Sequence, residues 1–261
     1  FTTHTVPKEV QHWQMATNAL PAATIGFRNG PPEAAPSGLS HRVAPSETSW
    51  AALAALPGGL AASTGLPIAA ARKALADVAG LDRKPDPYHL GFVLGPRINA
   101  GGRVGRADLG ARLLSTDDPN EARQIAGELD RYNDERRAIE AEVLETAIAQ
   151  AEAAGDAPVL VVSGQGWHPG VVGIVASRLK DRFHRPACVV GVDEAGVGKG
   201  SGRSVPGVDL GAAVIAAHQA GVLEKGGGHA MAAGFTVAAD RIDAFRSFLA
   251  ERVSTALAGT P

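Results

Sequence analysis

Arg97, Asn99 and Arg103 fall within the nine residues Gly95-Pro96-Arg97-Ile98-Asn99-Ala100-Gly101-Gly102-Arg103, which join two fixed cations and an amide to three glycines. Glycine admits backbone conformations and close approaches that other residues resist. Arginine offers a planar, permanently charged fork matched to phosphate oxygens. Two further clusters repeat the theme: Gly200-Ser201-Gly202-Arg203-Ser204 and Gly226-Gly227-Gly228-His229-Ala230. Read as Gly-rich bends, the three together point to a polyanion. Arg97 and Arg203 are then the expected backbone-phosphate ligands, supported by Asn99, Arg103, Ser201, Gly202, Ser204, Gly226, Gly227, Gly228 and His229. A glycine triplet beside an imidazole reads as a backbone nest for an anion. Gly200-Ser201-Gly202 followed by Arg203 also reads as an ordinary hairpin displaying a charge.

A fourth segment, Trp167-His168-Pro169-Gly170, precedes an amphipathic stretch and so stands at a helix N-terminus, whose first N–H groups lack internal partners. Trp167 has two readings, a platform for a nucleobase or a cap on the core. His168 likewise either donates to a phosphate or packs against the preceding strand.

Elements that could position these residues follow from periodicity and punctuation. Ala69 to Val78 is a short helix ended by Gly80, and Pro87 to Leu94 is a helical turn leading into the first bend. Ala107 to Leu114 is another short helix. Asp118-Pro119 supplies an N-cap and an N1 proline. The helix that follows runs to about Ala154 with apolar residues every three to four positions, roughly 50 Å at 1.5 Å per residue, a natural connector between two lobes. Within it the charged run Arg131 to Arg137 reads as a solvated face. Beyond it strands and helices alternate: strands at Pro158–Val162, Pro186–Val192, Val197–Arg203 and Met231–Val237, helices at Gly170–Phe183, Asp209–Ala220 and Arg241–Ala256. The expected class is α/β: a long connecting helix, then a mixed-sheet lobe. The expected division is 1–72, irregular; 73–118, an inter-lobe region carrying the first motif; 119–154, the connecting helix; and 155–258, a nucleic-acid-binding domain.

Composition narrows the options. The formal net charge is −2, which argues against a protein that coats nucleic acid through bulk charge, yet Arg97 to Arg112 holds four arginines and one acid. The lone Cys188 excludes an internal disulfide and a cysteine-based zinc site. No apolar run reaches membrane-spanning length and no signal peptide is visible, so a cytoplasmic protein without membrane attachment is expected. Seven of the 17 prolines lie before Leu66, in a stretch without sustained period apart from a short helix at Ser49–Leu56. His4, His12 and His41 in that stretch lack carboxylates at metal-ligand spacing.

Four segments, Gly95–Arg103, Gly166–Leu179, Gly200–Ser204 and Gly226–Gly234, resemble in wording, order and spacing the successive signatures of RecJ-type single-stranded-DNA-specific exonucleases of the DHH phosphoesterase superfamily. The resemblance runs from about Ala74 to Val253. It implies a catalytic lobe holding two divalent metals with Asp/His clusters, a long helix, and a DHH-associated lobe that grips the strand. It also implies 5′→3′ degradation of single-stranded DNA in recombination and repair, with Mn²⁺ or Mg²⁺ activating water. This chain departs from the pattern: it contains no Asp-His-His triplet, and residues 1–72 do not look like the end of a catalytic lobe. A truncated gene or a shifted reading frame would account for that, and resequencing tests it. The expectation is therefore a lobe that binds single-stranded DNA, with no catalytic residue, metal ligand or cofactor of its own. Two alternatives stay open: a noncatalytic nucleic-acid-binding module, and a phosphodiesterase for oligonucleotides or cyclic dinucleotides.

Overall fold

The computed structural model describes residues 68–258, all within one compact unit. The expectations for the first stretch, including His4, His12, His41 and the Ser49–Leu56 helix, lie outside the described residues. Helix α1 (Ile68–Val78) ends where Gly80 takes φ +66°. A π-helical turn, His89–Leu94, runs directly into α2 (Gly95–Val104), followed by α3 (Leu109–Ser115). Helix α4 (Pro119–Ala153) spans 35 residues and starts as its sequence dictates: Asp118 accepts from the Asn120 N–H, and Pro119 occupies the first turn. Its N-terminal half closes a helical core with Leu75, Leu94, Leu109 and Leu113 through Ile125 and Leu129.

The sheet lobe contains β1 (Leu160–Gln165), α5 (Pro169–Phe183), β2 (Ala187–Val192), β3 (Val197–Arg203), α6 (Leu210–Gln219), β4 (Lys225–His229), β5 (Ala232–Ala238) and α7 (Ile242–Ala258). The strand order is β1-β2-β3-β5-β4; β1 and β2 are parallel and the remaining pairs antiparallel. One sheet face packs on α5 and the C-terminal half of α4 through Val143, Ala147, Val162, Val171, Val175 and Val189. The opposite face packs on α6 and α7 through Val190, Leu210, Val214, Phe235, Phe245 and Leu249. The α/β class with a long helix and a mixed sheet is thus what the chain forms. The long helix belongs to two cores at once, which makes it the rigid element between them.

All three Gly-rich segments differ from the bends expected of them: Gly200–Arg203 lies inside β3, paired with β2 and β5, and is neither a bend nor a hairpin turn. Gly95–Arg103 is not a bend but α2, and none of its glycines has positive φ. Two of them serve instead by lacking a side chain: a Cβ on Gly95 would stand 2.9 Å from the Leu90 carbonyl oxygen, and one on Gly101 would stand 2.4 Å from that of Arg106, whereas Gly102 has open space there. Gly226-Gly227-Gly228 is not a nest but the edge strand β4, a fifth strand that the sequence reading lacked. There α6 comes close: a Cβ on Gly226 would meet Val214 at 2.9 Å.

Strand β3 shows the same logic at period two. Gly198, Gly200 and Gly202 share the face toward α6 and α7, where a Cβ on Gly200 would lie 2.1 Å from the Phe235 ring and one on Gly202 would lie 2.6 Å from Leu210. The Phe235 ring is held by Phe245, 4.6 Å away between centroids, so it has little room to yield. Gly200→Ala is therefore expected to destabilise the fold by about 1–3 kcal/mol through overpacking. Urea unfolding checks this; an unchanged midpoint would mean that the ring repacks freely.

Candidate nucleic-acid interface

Strand alternation divides the residues expected to bind phosphate into two sets. Opposite positions in the ladders put Arg203, Ala232 and His229 in one row, Ser201, Gly234 and Gly227 in the next, and Lys199, Thr236 and Lys225 in a third. All nine share the face that α5 packs on, since Val189 of β2 is opposite Ser201 and belongs to that core. None of the nine is a carboxylate, and Lys199, Lys225, His229 and Gly234 are exposed. The intervening positions face the other core. Gly202 lies against Leu210 and Cys188, and Gly226 against Val214 and Leu223; a Cβ on Gly228 would crowd Ala233, which belongs to that core. Ser204 is buried, with its hydroxyl donating to the Val208 carbonyl at 2.7 Å. Gly202, Ser204 and Gly226 thus pack within the sheet lobe, while Gly228 is exposed at its edge. Ser201, Arg203, Gly227 and His229 share the accessible side.

The start of α5 meets this face. His168 is the N-cap, and its own Nδ1 accepts from the Gly170 N–H at 3.0 Å, which ties the ring to the first turn of α5. The Trp167 ring is engaged in packing: it lies over Gly164, where a Cβ would come within 2.1 Å of it. The side chain is half-buried and packs against the core between the sheet, α4 and α5. Gly170 and Gly173 open the surface of α5 to two arginines. Arg103, in the last turn of α2, donates to the Gly170 carbonyl at 3.1 Å. The Arg203 guanidinium lies beside Gly173, donates to Ser201 Oγ at 2.9 Å and to the Gly202 carbonyl at 2.8 Å. Burial first, and then the like charge of Arg103, lower the Arg203 pKa from the ordinary guanidinium value. Two cations that repel one another over a surface without carboxylates make a place where an anion lowers the energy.

Beyond Arg103 lies a cleft of about 870 Å³ between α2, α4 and α5, whose lining includes Arg97, Asn99, Arg136, Arg137 and Arg178. Arg97 is largely tied to the protein: Nε donates to Asp130 at 2.7 Å and Nη1 to the Val93 carbonyl at 2.8 Å. Asn99 is exposed on the cleft wall. Across from them Glu140, on α4, is buried and pairs with both Arg136 of its own helix and Arg178 of α5. Arg136 also donates to the buried Asn133 at 3.0 Å. Its pKa is lowered by burial, opposed by Glu140, and lowered further by Arg103, Arg137 and Arg178.

The Arg131–Arg137 run is thus not simply a solvated face. The core stripe of α4 passes from Leu129 through Asn133, Arg136 and Glu140 to Val143 and Ala147, with spacings of four and three. That heptad continuity was the available signal.

Among the described residues there is no group of three or more His, Cys, Asp or Glu side chains able to hold a metal ion. These residues do not fit a divalent pair, and no catalytic step is assigned to them. Among the same residues no helix is long and apolar enough to cross a membrane.

Comparison with known proteins finds relatives in sequence and in fold. Residues 156–255 match the family described as the DHHA1 domain. The single-stranded-DNA-specific exonuclease RecJ of Bacillus subtilis is 44% identical over 164 residues, covering 62% of this chain and 21% of that protein. The Escherichia coli RecJ is 40% identical over 190 residues, covering 70% of this chain and 33% of that protein. The chain therefore spans about a fifth to a third of the length of these relatives. Among solved structures, RecJ from Thermus thermophilus in complex with Mg²⁺ superposes with a TM-score of 0.63 at 34% identity, covering 71% of this chain and 28% of that one. An exonuclease RecJ bound to manganese gives 0.62 at 32%, covering 77% and 49%. With its DHHA1 domain on the far side of a long helix and its similarity to these enzymes on both sides of that helix, the chain carries a DHHA1 domain and corresponds to the part of the RecJ single-stranded-DNA-specific exonucleases that holds it.

Proposed function

We propose that this chain grips the sugar–phosphate backbone of single-stranded DNA, as the strand-holding part of a RecJ-type 5′→3′ exonuclease acting in recombination and repair in the cytoplasm. The observation that carries the proposal is the convergence of Arg103 and Arg203 at the edge of a carboxylate-free sheet face. Arg203 and Ser201 would hold one phosphate, and His229, in the same row as Arg203, lies two strands away on the same face. Gly227 and Gly234 leave the middle row without side chains on β4 and β5, so a backbone can lie close to those strands. Arg97, Asn99, Arg103 and the α4 arginines would extend the contact into the cleft. Phosphate contacts position a strand without reading its sequence. In a complete enzyme that uses Mn²⁺ or Mg²⁺, such contacts would align the scissile bond.

The test is retention of an end-labelled single-stranded oligonucleotide, with and without Mn²⁺, while its length is followed on a gel. Binding that weakens as salt rises is the expected result. Absence of binding at low salt would overturn the proposal. Shortening that requires Mn²⁺ would place metal ligands outside residues 68–258 and make this polypeptide a nuclease in its own right.

A further inference from the structure

Tyr88 and Phe92 are the most exposed large hydrophobic side chains among the described residues, at 64% and 68%. They stand four residues apart around the π-helical turn, and their rings stack on one another at 5.1 Å between centroids with 27° between planes. His89 between them is buried, with Nδ1 2.6 Å from Asp86, and packs edge-on against the Tyr88 ring. The pair is thus fixed from beneath while its outer faces meet water. Phe92 also lines the cleft that holds Arg97, Arg103, Arg136, Arg137 and Arg178. An apolar ring at the lip of a cationic cleft faces two chemistries at once.

A single nucleic-acid strand presents the complementary two, anionic phosphates and the flat apolar faces of unpaired bases. Aromatic rings beside a basic groove are how proteins hold such strands without sequence preference. We infer that the Tyr88–Phe92 pair is a base-stacking platform at the mouth of the arginine cleft, and that it favours single strands because paired bases keep their faces inside the duplex. This rests on the proposed backbone grip and adds to it the surface that tells one strand from two.

The experiment compares a normal oligonucleotide with one of equal length and phosphate count that carries abasic residues throughout, using the wild-type chain, Phe92→Leu and Tyr88→Leu. Both positions are exposed, so leucine keeps the fold, and circular dichroism verifies that. The wild type is expected to bind the normal strand about 5- to 100-fold more tightly than the abasic one. Phe92→Leu is expected to lose most of that difference while keeping the salt dependence. Equal binding of both strands by the wild type would overturn the platform and leave the phosphate grip standing, with the pair free to meet another protein surface. Failure to bind either strand would overturn the grip and the platform with it.

Discussion

Glu140→Ala is expected to cost about 3–5 kcal/mol of folding stability, the range for removing one partner of a buried ion pair. The Glu140 side chain is 6% exposed and that of Arg136 11%. Two charges buried that deeply are tolerable only together. Arg136 already has a buried Nε without a hydrogen-bond partner, and its remaining partner among the described residues would be Asn133. Without Glu140 it would stand unpaired beside Arg103, Arg137 and Arg178, each of which disfavours its charge. Arg178, by contrast, is 58% exposed. Arg178→Ala removes a partner that water can replace on one side only, and is expected to cost about 1 kcal/mol or less. Glu140→Gln keeps an acceptor in place and should fall between the two. Urea unfolding of the three variants measures the order directly. A Glu140→Ala protein as stable as the wild type would show that the α4–α5 contact does not depend on this carboxylate.

The same cluster shows what sequence reading captures and what it does not. Helix boundaries were legible where the deciding chemistry is local: Asp118 caps α4, Asp209 accepts from the Ala212 N–H at the start of α6, and Gly80 and Gly221 end helices with positive φ. Strand β3 was legible over its full span from Val197 to Arg203. Strand β4 was not, because Lys225-Gly226-Gly227-Gly228-His229 has no β-branched residue and owes its extension to pairing with β5 and to the approach of α6. Segment α2 was misread for a related reason. Glycine signals both freedom and smallness, and only the neighbours decide which is in use; at Gly101 it is smallness against Arg106. Among the candidate ligands, the residue types were legible but their direction was not. Ser201 and Ser204 look equivalent in the sequence, yet one lies beside Arg203 and the other is buried against Val208. That difference rests on strand register, which no local motif contains.

Register also sets the second large effect. Arg203→Ala is expected to weaken binding of single-stranded DNA and to flatten its salt dependence by about 0.7 in the slope of log K against log salt, the value for one phosphate contact on a single strand. Removing Arg103 as well should bring the loss of slope to about 1.4. The two affinity losses should not add, since these cations repel one another and each makes the other's site less crowded when it is gone. Arg203→Lys should recover little, because the guanidinium is already committed to Ser201 and the Gly202 carbonyl, a fork that an ammonium cannot reproduce. Arg97→Ala provides the contrast. Its Nε and Nη1 hold Asp130 and the Val93 carbonyl, so its loss should lower the unfolding midpoint as well as the affinity. Titrations at four or five salt concentrations, with the melting curve of each variant, separate these cases. An unchanged slope for Arg203→Ala would remove the sheet face from the interface and leave the α2–α4–α5 cleft as the whole of it.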